Sequence, residues 1–298
     1  MATQKFGVFG YPIKHSLSPA MHAAAFSALG MNECEYKAYA VLPENLKESV
    51  LKAQADGFKG LNLTIPHKEK ILSFGIVTPD AFAEKVGAVN TLLFEGDVIT
   101  GYNTDALGAL AALEYGGAET DGKNILVIGA GGAARSISFL FGERQNHLKI
   151  INRTAEKAEN LAAEIVKKTG NQKVSGSGFL TAADDLKKAD IIIQTTELGM
   201  GKYESVSFFD QIVQGSDDEK EKQKKELLGH LKSDAVVFDI VYNPQETKFL
   251  KEAREAGVQT INGMMMLVFQ GALAFEIWTG KKPNIDVMAK AVLRELEK

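Results

Sequence analysis

Cysteine, histidine and tryptophan are scarce in this chain of 298 residues, which has one cysteine, five histidines and one tryptophan. A single cysteine, Cys34, excludes an internal disulfide and fits a reducing compartment. The histidines, at positions 15, 22, 67, 147 and 230, lack the close spacing of a metal-binding motif. We therefore expect a protein without a bound metal.

A long apolar run and an excess of positive charge are also missing. The most apolar stretch, residues 264–275, is shorter than a membrane span and is interrupted by Gln270 and Gly271. The N-terminal segment lacks the charged and apolar regions of a signal peptide. With 34 basic and 38 acidic residues the net charge is −4, which disfavours nucleic acid or an anionic membrane as a partner. These features predict a cytoplasmic protein with no nucleic-acid or membrane partner.

The length and the order of apolar segments favour two α/β domains. Strands are predicted at 5–11, 35–41, 59–64, 88–94 and 98–101, and then at 125–128, 148–151, 191–195, 235–240 and 258–261. An apolar helix at 264–279 and an amphipathic helix at 284–297 follow, and we expect the second to return to the first domain. We predict a catalytic domain that binds a small substrate at 1–105 plus 268–298. A Rossmann-like, doubly wound nucleotide-binding domain is predicted at 106–267, with a cleft between the two.

Two local patterns give more specific expectations. Ser18 and Pro19 are typical of an N-cap and a first helical residue, and they predict a helix that ends near Gly30. The charge-dense run at 216–225 predicts a solvated helix or loop.

A glycine-rich turn, GAGGAA at 129–134, directly follows the apolar strand predicted at 125–128. Glycine permits a tight turn and close approach of the backbone, and the helix that follows offers free N–H groups, so this order is typical of a pyrophosphate site. A site for NAD usually has an acidic residue after the next strand. Here Asn152 and Arg153 stand there, with Lys157 one turn later. Because basic side chains hold a 2′-phosphate that a carboxylate would repel, the sequence predicts NADP.

Polar residues follow several apolar segments of the first domain. They lie in HSLSP at 15–19, NLTIPHK at 62–68, GAVNT at 87–91 and GYNTD at 101–105. Together they supply hydroxyl, amide, ammonium and carboxylate groups, which suit a small polyhydroxylated acid and the transfer of one proton. Taken singly, each residue also has a purely structural interpretation as a helix cap, a turn former or a surface lysine.

The ordered set of motifs resembles the shikimate dehydrogenase family nearly from end to end. The motifs lie at 10–19, 62–68, 87–91, 103–105, 129–134, 152–154, 239–244 and 266–272. The resemblance implies NADP-dependent reduction of 3-dehydroshikimate to shikimate, a step of aromatic amino-acid biosynthesis. It implies Lys68 as the proton-transfer residue and Asp105 as its partner. It leaves open whether the protein is a homodimer.

The resemblance also assigns binding roles by position. Residues implied to contact the substrate are Ser16, Ser18, Thr64, Lys68, Asn90, Asp105, Tyr242 and Gln270. Residues implied to contact NADP are Gly129, Ala130, Gly131, Gly132, Ala133, Asn152, Arg153, Thr154, Lys157, Ile240, Gly263 and Met266. The run QTTELGM at 194–200 departs from the family's usual Asn-Ala-Thr-Ser/Pro-x-Gly-Met, which leaves the local cofactor contact open.

Three alternatives are weighed against this interpretation. Quinate dehydrogenase, or an enzyme with both activities, is the nearest; Ser16 favours shikimate, and Asn152 with Arg153 disfavours the NAD-dependent quinate enzymes. A noncatalytic NADP-binding protein would be favoured by the loss of Lys68 or Asp105, but both are present. A methyltransferase is disfavoured by the basic pair and by the motifs of the first domain.

Overall fold

The computed structural model describes residues 3–298, so Met1 and Ala2, at the start of the segment inspected for a signal peptide, lie outside it. The chain divides into two compact units. The first contains the residues up to Gly108 together with Leu267–Lys298, and the second contains Ala109–Met266.

A mixed sheet of six strands forms the centre of the first unit as far as it is described. The strands are β1 (Gln4–Gly10), β2 (Cys34–Ala40), β3 (Phe58–Leu63), β4 (Thr78–Pro79), β5 (Thr91–Glu95) and β6 (Val98–Tyr102). Their order is β2-β1-β3-β5-β6-β4, with β5 and β6 joined as an antiparallel hairpin. Because β1 pairs in parallel with both β2 and β3, the carboxyl ends of these three strands meet at one edge of the sheet.

Helices cover this sheet and enclose an apolar core. They are α1 (Ser18–Ala28), α2 (Leu46–Ala55), α3 (His67–Lys70), α4 (Ala81–Val86) and α5 (Asp105–Tyr115), and α5 continues into the second unit. Leu46, Leu61 and Leu92 are fully buried in one cluster, which joins α2 to the centre of the sheet.

The second unit is built on a sheet whose six described strands are all parallel. The strands are β7 (Asn124–Ile128), β8 (His147–Ile151), β9 (Val174–Ser177), β10 (Ile191–Gln194), β11 (Val236–Asp239) and β12 (Gln259–Ile261). Their order is β12-β11-β10-β7-β8-β9, so the strand order reverses between β7 and β10. A crevice at such a reversal, at the carboxyl ends of the strands, is where open α/β sheets bind ligands.

Along the chain, helices connect the successive strands of this second sheet. They are α6 (Gly132–Glu143), α7 (Ala155–Thr169), α8 (Ala182–Lys188), α9 (Phe209–Ile212), α10 (Asp217–Gly229) and α11 (Lys248–Glu255). With helices on both faces, the central strands are buried on both sides. Ile125, Val127, Ile192 and Ile193 are accordingly almost inaccessible to solvent.

Two C-terminal helices complete the fold: α12 (Met264–Thr279), which begins in the second unit and ends in the first, and α13 (Ile285–Leu296). Within the first unit α13 packs against α1. The indole of Trp278 lies over Gly60, where any Cβ would overlap the ring, and its Nε1–H donates to the Leu92 carbonyl at 2.9 Å. The one tryptophan therefore fixes α12 to strands β3 and β5.

The predicted strands and helices are largely confirmed, but several details differ. Ser18 is the first residue of α1 rather than its N-cap, which is Leu17. The strand predicted at 88–94 begins only at Thr91, since the N–H of Val89 donates to the carbonyl of Lys68 instead of to a neighbouring strand. The short strands β4 and β9 were not predicted, because neither contains an apolar run.

The charge-dense run at 216–225 opens helix α10, where Ser216 and Glu219 form a capping box. The expectation of a solvated run is wrong at Lys224, which is buried. Its Nζ lies 2.7 Å from a carboxylate oxygen of Asp210 and 3.0 Å from one of Glu252. Desolvation lowers the pKa of Lys224, but hydrogen bonds to the two carboxylates outweigh it and raise that pKa overall. Lys224 therefore ties helix α10 to helices α9 and α11.

A buried carboxylate, Asp239, joins the ends of strands β10 and β11 to helix α11. Its Oδ1 accepts from Gln194 Nε2 at 3.1 Å and from the Val241 N–H at 3.0 Å, and its Oδ2 accepts from Thr247 Oγ1 at 2.7 Å. The residue is 0% exposed, and no cation contacts it within residues 3–298. Desolvation raises the pKa of Asp239 to about 7, although the three donors act in the opposite direction.

This raised pKa predicts a pH-dependent stability. A carboxyl group with a pKa near 7 in the folded state and near 4 in the unfolded state binds its proton more tightly when folded. Its contribution to the free energy of unfolding therefore falls as the pH rises from about 4 to about 7, by at most about 1.4 kcal/mol per pH unit. In Asp239→Asn the amide oxygen can keep two donors, the NH₂ can donate to a rotated Thr247 hydroxyl, and the titration disappears.

Urea unfolding of wild type and Asp239→Asn at pH 5, 6, 7 and 8 measures this contribution. We expect the difference in unfolding free energy between the variant and the wild type to shift in favour of the variant as the pH rises. A difference that stays constant over this range would contradict the prediction.

Candidate active site

Lys68 and Asp105 form a close ion pair in the first unit, although 37 positions separate them in the chain. Lys68 lies on α3, directly beyond β3, and Asp105 is the first residue of α5. Lys68 Nζ donates to Asp105 Oδ2 at 2.6 Å, and the two side chains are 17% and 6% exposed. The pair is thus sheltered from bulk water, while the lysine keeps some access to the surface.

Asn90, the residue before β5, binds the other oxygen of Asp105. Its Nδ2 donates to Asp105 Oδ1 at 2.9 Å and lies 3.5 Å from Gln270 Oε1. Its Oδ1 accepts from the backbone N–H of Thr104 at 2.8 Å. Since a backbone N–H can only donate, this contact fixes which end of the amide faces Asp105. The structure therefore brings together four of the predicted substrate residues: Lys68, Asn90, Asp105 and Gln270.

The backbone around Asp105 is held by a second asparagine. Asn103 Oδ1 accepts from the Asp105 N–H at 3.2 Å, and its Nδ2 donates to the Ala88 carbonyl at 3.0 Å. The start of α5 is thereby tied to the segment that precedes β5. Asn103 belongs to the NTD motif, but its role was not predicted, because nothing in the motif identifies its partner 15 positions away.

The remaining predicted substrate residues of the first unit lie beyond the carboxyl ends of β1 and β3. Ser16 is half-buried and precedes α1, and Ser18 is buried at the start of that helix. Thr64 follows β3, and its N–H donates to the Phe9 carbonyl at 2.9 Å. No hydrogen bond joins these three hydroxyls to Lys68 or Asn90 in the described chain. Tyr242 belongs to the second unit, where it is partly buried and desolvation raises the pKa of its phenol.

The glycine turn of the second unit has the geometry of a phosphate-binding loop. Gly129 adopts a φ of +118°, its N–H donates to the Ile151 carbonyl at 2.8 Å, and a Cβ there would overlap the Thr195 side chain. Gly131 is the N-cap of the 12-residue helix α6, and the space beside its Cα is open. The helix therefore presents its first N–H groups and its positive dipole end to an open surface. Ala130, Gly132 and Ala133, which are also implied to contact NADP, flank Gly131 at this helix start.

Two basic side chains lie beyond the neighbouring strand β8. Asn152 follows this strand, and its Nδ2 donates to the Thr154 carbonyl at 3.0 Å. Arg153 and Lys157 are exposed, and neither makes an ion pair or a side-chain hydrogen bond within the part of the chain described. Two cations without a carboxylate partner, next to a phosphate-type loop, match the needs of a 2′-phosphate.

The loops after β10, β11 and β12 are tied to one another. The Ile240 N–H donates to the Gln194 carbonyl at 3.1 Å, and the Gly263 N–H donates to the Val241 carbonyl at 3.0 Å. A Cβ at residue 263 would overlap the Ile240 carbonyl, so only glycine fits there. Met266, on the first turn of α12, is buried. Ile240 and Gly263, two of the residues implied to contact NADP, are therefore adjacent.

Gln194, which departs from the family pattern, is buried and has defined partners. Its Nε2 donates to Asp239 Oδ1 and, at 3.0 Å, to the Leu198 carbonyl, and its Oε1 accepts from the Thr196 N–H. The glutamine thus organises the loop at 195–199. Its longer side chain serves to position this loop rather than to expose a polar group at the surface.

Residues 3–298 contain no group of three or more His, Cys, Asp or Glu that could hold a metal ion. No helix in that same range is long and apolar enough to cross a membrane.

Family models match three parts of the chain. A shikimate dehydrogenase substrate binding domain matches residues 8–92, a shikimate/quinate 5-dehydrogenase model matches 110–200, and a shikimate 5′-dehydrogenase C-terminal domain matches 263–293.

Full-length relatives agree with these matches. A shikimate dehydrogenase (NADP⁺) from Methanosarcina barkeri is 48% identical over 295 residues, which cover 99% of each chain. A crystal structure of a shikimate dehydrogenase in complex with NADP⁺ superposes with a TM-score of 0.88 at 43% identity and covers 100% of this chain and 98% of its own. Another, from Thermus thermophilus in complex with NADP(H) and shikimate, has a TM-score of 0.81 at 33% identity and covers 99% and 100%. The chain belongs to the shikimate dehydrogenase family.

Proposed function

We propose that this chain catalyses the reversible, NADP-dependent reduction of 3-dehydroshikimate to shikimate. The observation that carries the proposal is the sheltered Lys68–Asp105 pair, with Nζ and Oδ2 2.6 Å apart, in a chain of this family. We assign the predicted segments 1–105 plus 268–298 to substrate binding and 106–267 to NADP binding.

The residues of the second unit fit NADP. The open N-terminus of α6 at Gly129, Gly131 and Gly132 would hold the pyrophosphate, and the unpaired cations Arg153 and Lys157 would hold the 2′-phosphate. Ile240, Gly263 and Met266 would lie beside the nicotinamide. When bound, NADP supplies the hydride chemistry, and the protein supplies binding, orientation and electrostatics.

The proton step is assigned to Lys68. Reduction of a ketone places negative charge on its oxygen, and an ammonium beside that oxygen can neutralise the charge and deliver a proton. Asp105 Oδ2 accepts one of the three Nζ hydrogens, which leaves the other two available to the substrate. Because Asn90 and Asn103 hold Asp105, the carboxylate can keep the ammonium in one place.

Substrate binding is assigned to the hydroxyl and amide groups around the pair. Ser16, Ser18 and Thr64 would hold the carboxylate and hydroxyls, with Asn90, Gln270 and Tyr242. A cytoplasmic location without a nucleic-acid or membrane partner belongs to the same proposal. It is supported by the free thiol of Cys34 and by the net charge of −4.

The test is an assay of the purified protein with shikimate or quinate, each with NADP⁺ or NAD⁺, followed by the absorbance of the reduced nucleotide. We expect the highest kcat/KM for shikimate with NADP⁺. A preference for quinate would identify the activity as that of a quinate dehydrogenase. Inactivity with all four pairs would refute the proposal that the chain is an oxidoreductase acting on these acids.

Lys68→Met tests the proton step. The methionine keeps most of the side-chain volume but cannot donate a proton, so kcat should fall by roughly 10²–10⁴, the usual contribution of a positioned acid–base group. The affinity for NADP⁺, measured by fluorescence titration, should change little. Lys70→Met is the matched control, because Lys70 lies on the same short helix and makes no ion pair in the described chain. Near-normal turnover of Lys68→Met would contradict the assignment of proton transfer to Lys68.

Arg153→Ala tests the cofactor assignment. The wild type should prefer NADP⁺ over NAD⁺ by at least tenfold in kcat/KM, about 1.4 kcal/mol or more. Loss of one cation should erode this preference, mainly through a higher KM for NADP⁺, and leave the KM for NAD⁺ nearly unchanged. The control is Lys167→Ala, which removes the same charge from an exposed residue in the last turn of α7. Equal use of both nucleotides by the wild type would contradict the assignment.

A further inference from the structure

A chain of buried polar side chains runs through the first unit to Asn90. Tyr36 on β2 donates its hydroxyl to Asn62 Oδ1 at 2.7 Å, and Asn62 on β3 donates Nδ2 to Thr91 Oγ1 at 3.1 Å. Thr91 on β5 donates its hydroxyl to Asn90 Oδ1 at 3.0 Å. All three residues are nearly inaccessible to solvent, at 5%, 6% and 0% exposure. We call Tyr36, Asn62 and Thr91 the relay.

Each bond in the relay has a fixed direction. The Asn90 carbonyl, 3.2 Å from Asn62 Nδ2, can only accept, so this NH₂ points to it and to Thr91 Oγ1, and Asn62 Oδ1 accepts from the tyrosine. Thr91 Oγ1 accepts from that NH₂, and its single hydrogen is therefore free to donate to Asn90 Oδ1. The relay delivers a donor to the oxygen end of the Asn90 amide, in the same sense as the Thr104 N–H.

The orientation of this amide affects Asp105 directly. With Oδ1 held by Thr91 and Thr104, the NH₂ of Asn90 faces Asp105 Oδ1. A flipped amide would place its oxygen against the carboxylate and its NH₂ against the Thr104 N–H, and both contacts are repulsive. In a buried site, unmatched polar groups of this kind cost far more than they would in water.

We propose that Asn62 and Thr91 are positioning residues for the reaction. Through the Thr91 hydroxyl they supply a second donor, beside the Thr104 N–H, that holds the Asn90 amide in place, and through that amide they hold Asp105 against Lys68. This inference rests on the proposed function, because Asp105 matters for turnover only if Lys68 transfers the proton. Neither side chain needs to touch the substrate.

Thr91→Val is the principal test. Valine keeps the shape of threonine and removes the hydroxyl, so the relay is cut at its contact with Asn90. We expect kcat with shikimate and NADP⁺ to fall about tenfold or more, since small displacements of a catalytic group have effects of this size. The KM for NADP⁺ should not change. Thr91→Ser, which restores the hydroxyl and lacks only the methyl group, should recover most of the kcat.

Two further variants separate positioning from stability. Thr279→Val removes a hydroxyl that donates to the Phe275 carbonyl at 2.8 Å near the end of α12, and this hydroxyl makes no hydrogen bond to the relay in the described chain. It should lower the melting temperature without lowering kcat. Tyr36→Phe removes the first donor but leaves the Thr91 hydroxyl, so its effect on kcat should be smaller. Combined with Thr91→Val it should be less than additive, because both act through one network.

Each outcome decides the proposal. A folded Thr91→Val with kcat within about twofold of wild type overturns it, and so does an equal loss in Thr91→Ser, which would indicate packing of the methyl group. If Thr91→Val does not fold, an unchanged kcat in Tyr36→Phe overturns the proposal and a reduced kcat supports it. An inactive wild type, measured in the same series, would instead refute the proposed function together with this inference.

Discussion

The orientation of one buried amide, that of Asn90, is the constraint on which the first unit's polar centre depends. Its oxygen and nitrogen ends contact Thr91, Thr104 and Asp105, which lie at the start of β5, in the turn after β6 and at the start of α5. These contacts are mutually consistent only in one orientation, because a backbone N–H stands on one side and a carboxylate on the other. Since polar groups in a low-dielectric interior are costly when mismatched, the network favours a single arrangement of the backbone around Lys68 and Asp105.

In the second unit, the groups suited to bind an anion are mainly backbone N–H groups. An anion needs several N–H donors at close range, and side chains cannot supply them without loss of conformational entropy. The turn at Gly129 and the start of α6 provide these donors as part of the fold, at the reversal of strand order between β7 and β10. Arg153, just before α7, and Lys157, in its first turn, are exposed and make no ion pair in the described chain, as the proposed binding of a 2′-phosphate requires.

The parts of the fold that sequence could predict are those with local causes. The central strands of the second unit are apolar runs because both faces are buried, and α12 begins and ends where the sequence predicts. Strand β9 was not predicted, because its sequence, Val-Ser-Gly-Ser, contains no apolar run. Its Gly176 is required because it lies against the backbone of Ala158 on α7. The motif resemblance predicts Lys68 and Asp105 as partners, and the structure places them in one ion pair. The resemblance could not identify the relay, because Asn62 and Thr91 pair across 29 positions and only the sheet order makes them neighbours.

Two buried carboxylates, Asp105 and Asp239, have opposite electrostatic environments. Asp105 faces a cation, Lys68, so its negative charge is compensated and in turn holds the ammonium in place. Asp239 meets only neutral donors in the described chain, and burial consequently raises its pKa to about 7. A carboxylate without a cation costs stability near neutral pH. It does, however, accept three hydrogen bonds from a strand end, a loop and a helix cap at once, which a smaller or apolar side chain could not do. The fold thus pairs one buried carboxylate with a cation at the start of α5 and uses the acceptor capacity of the other to hold a strand end, a loop and a helix cap.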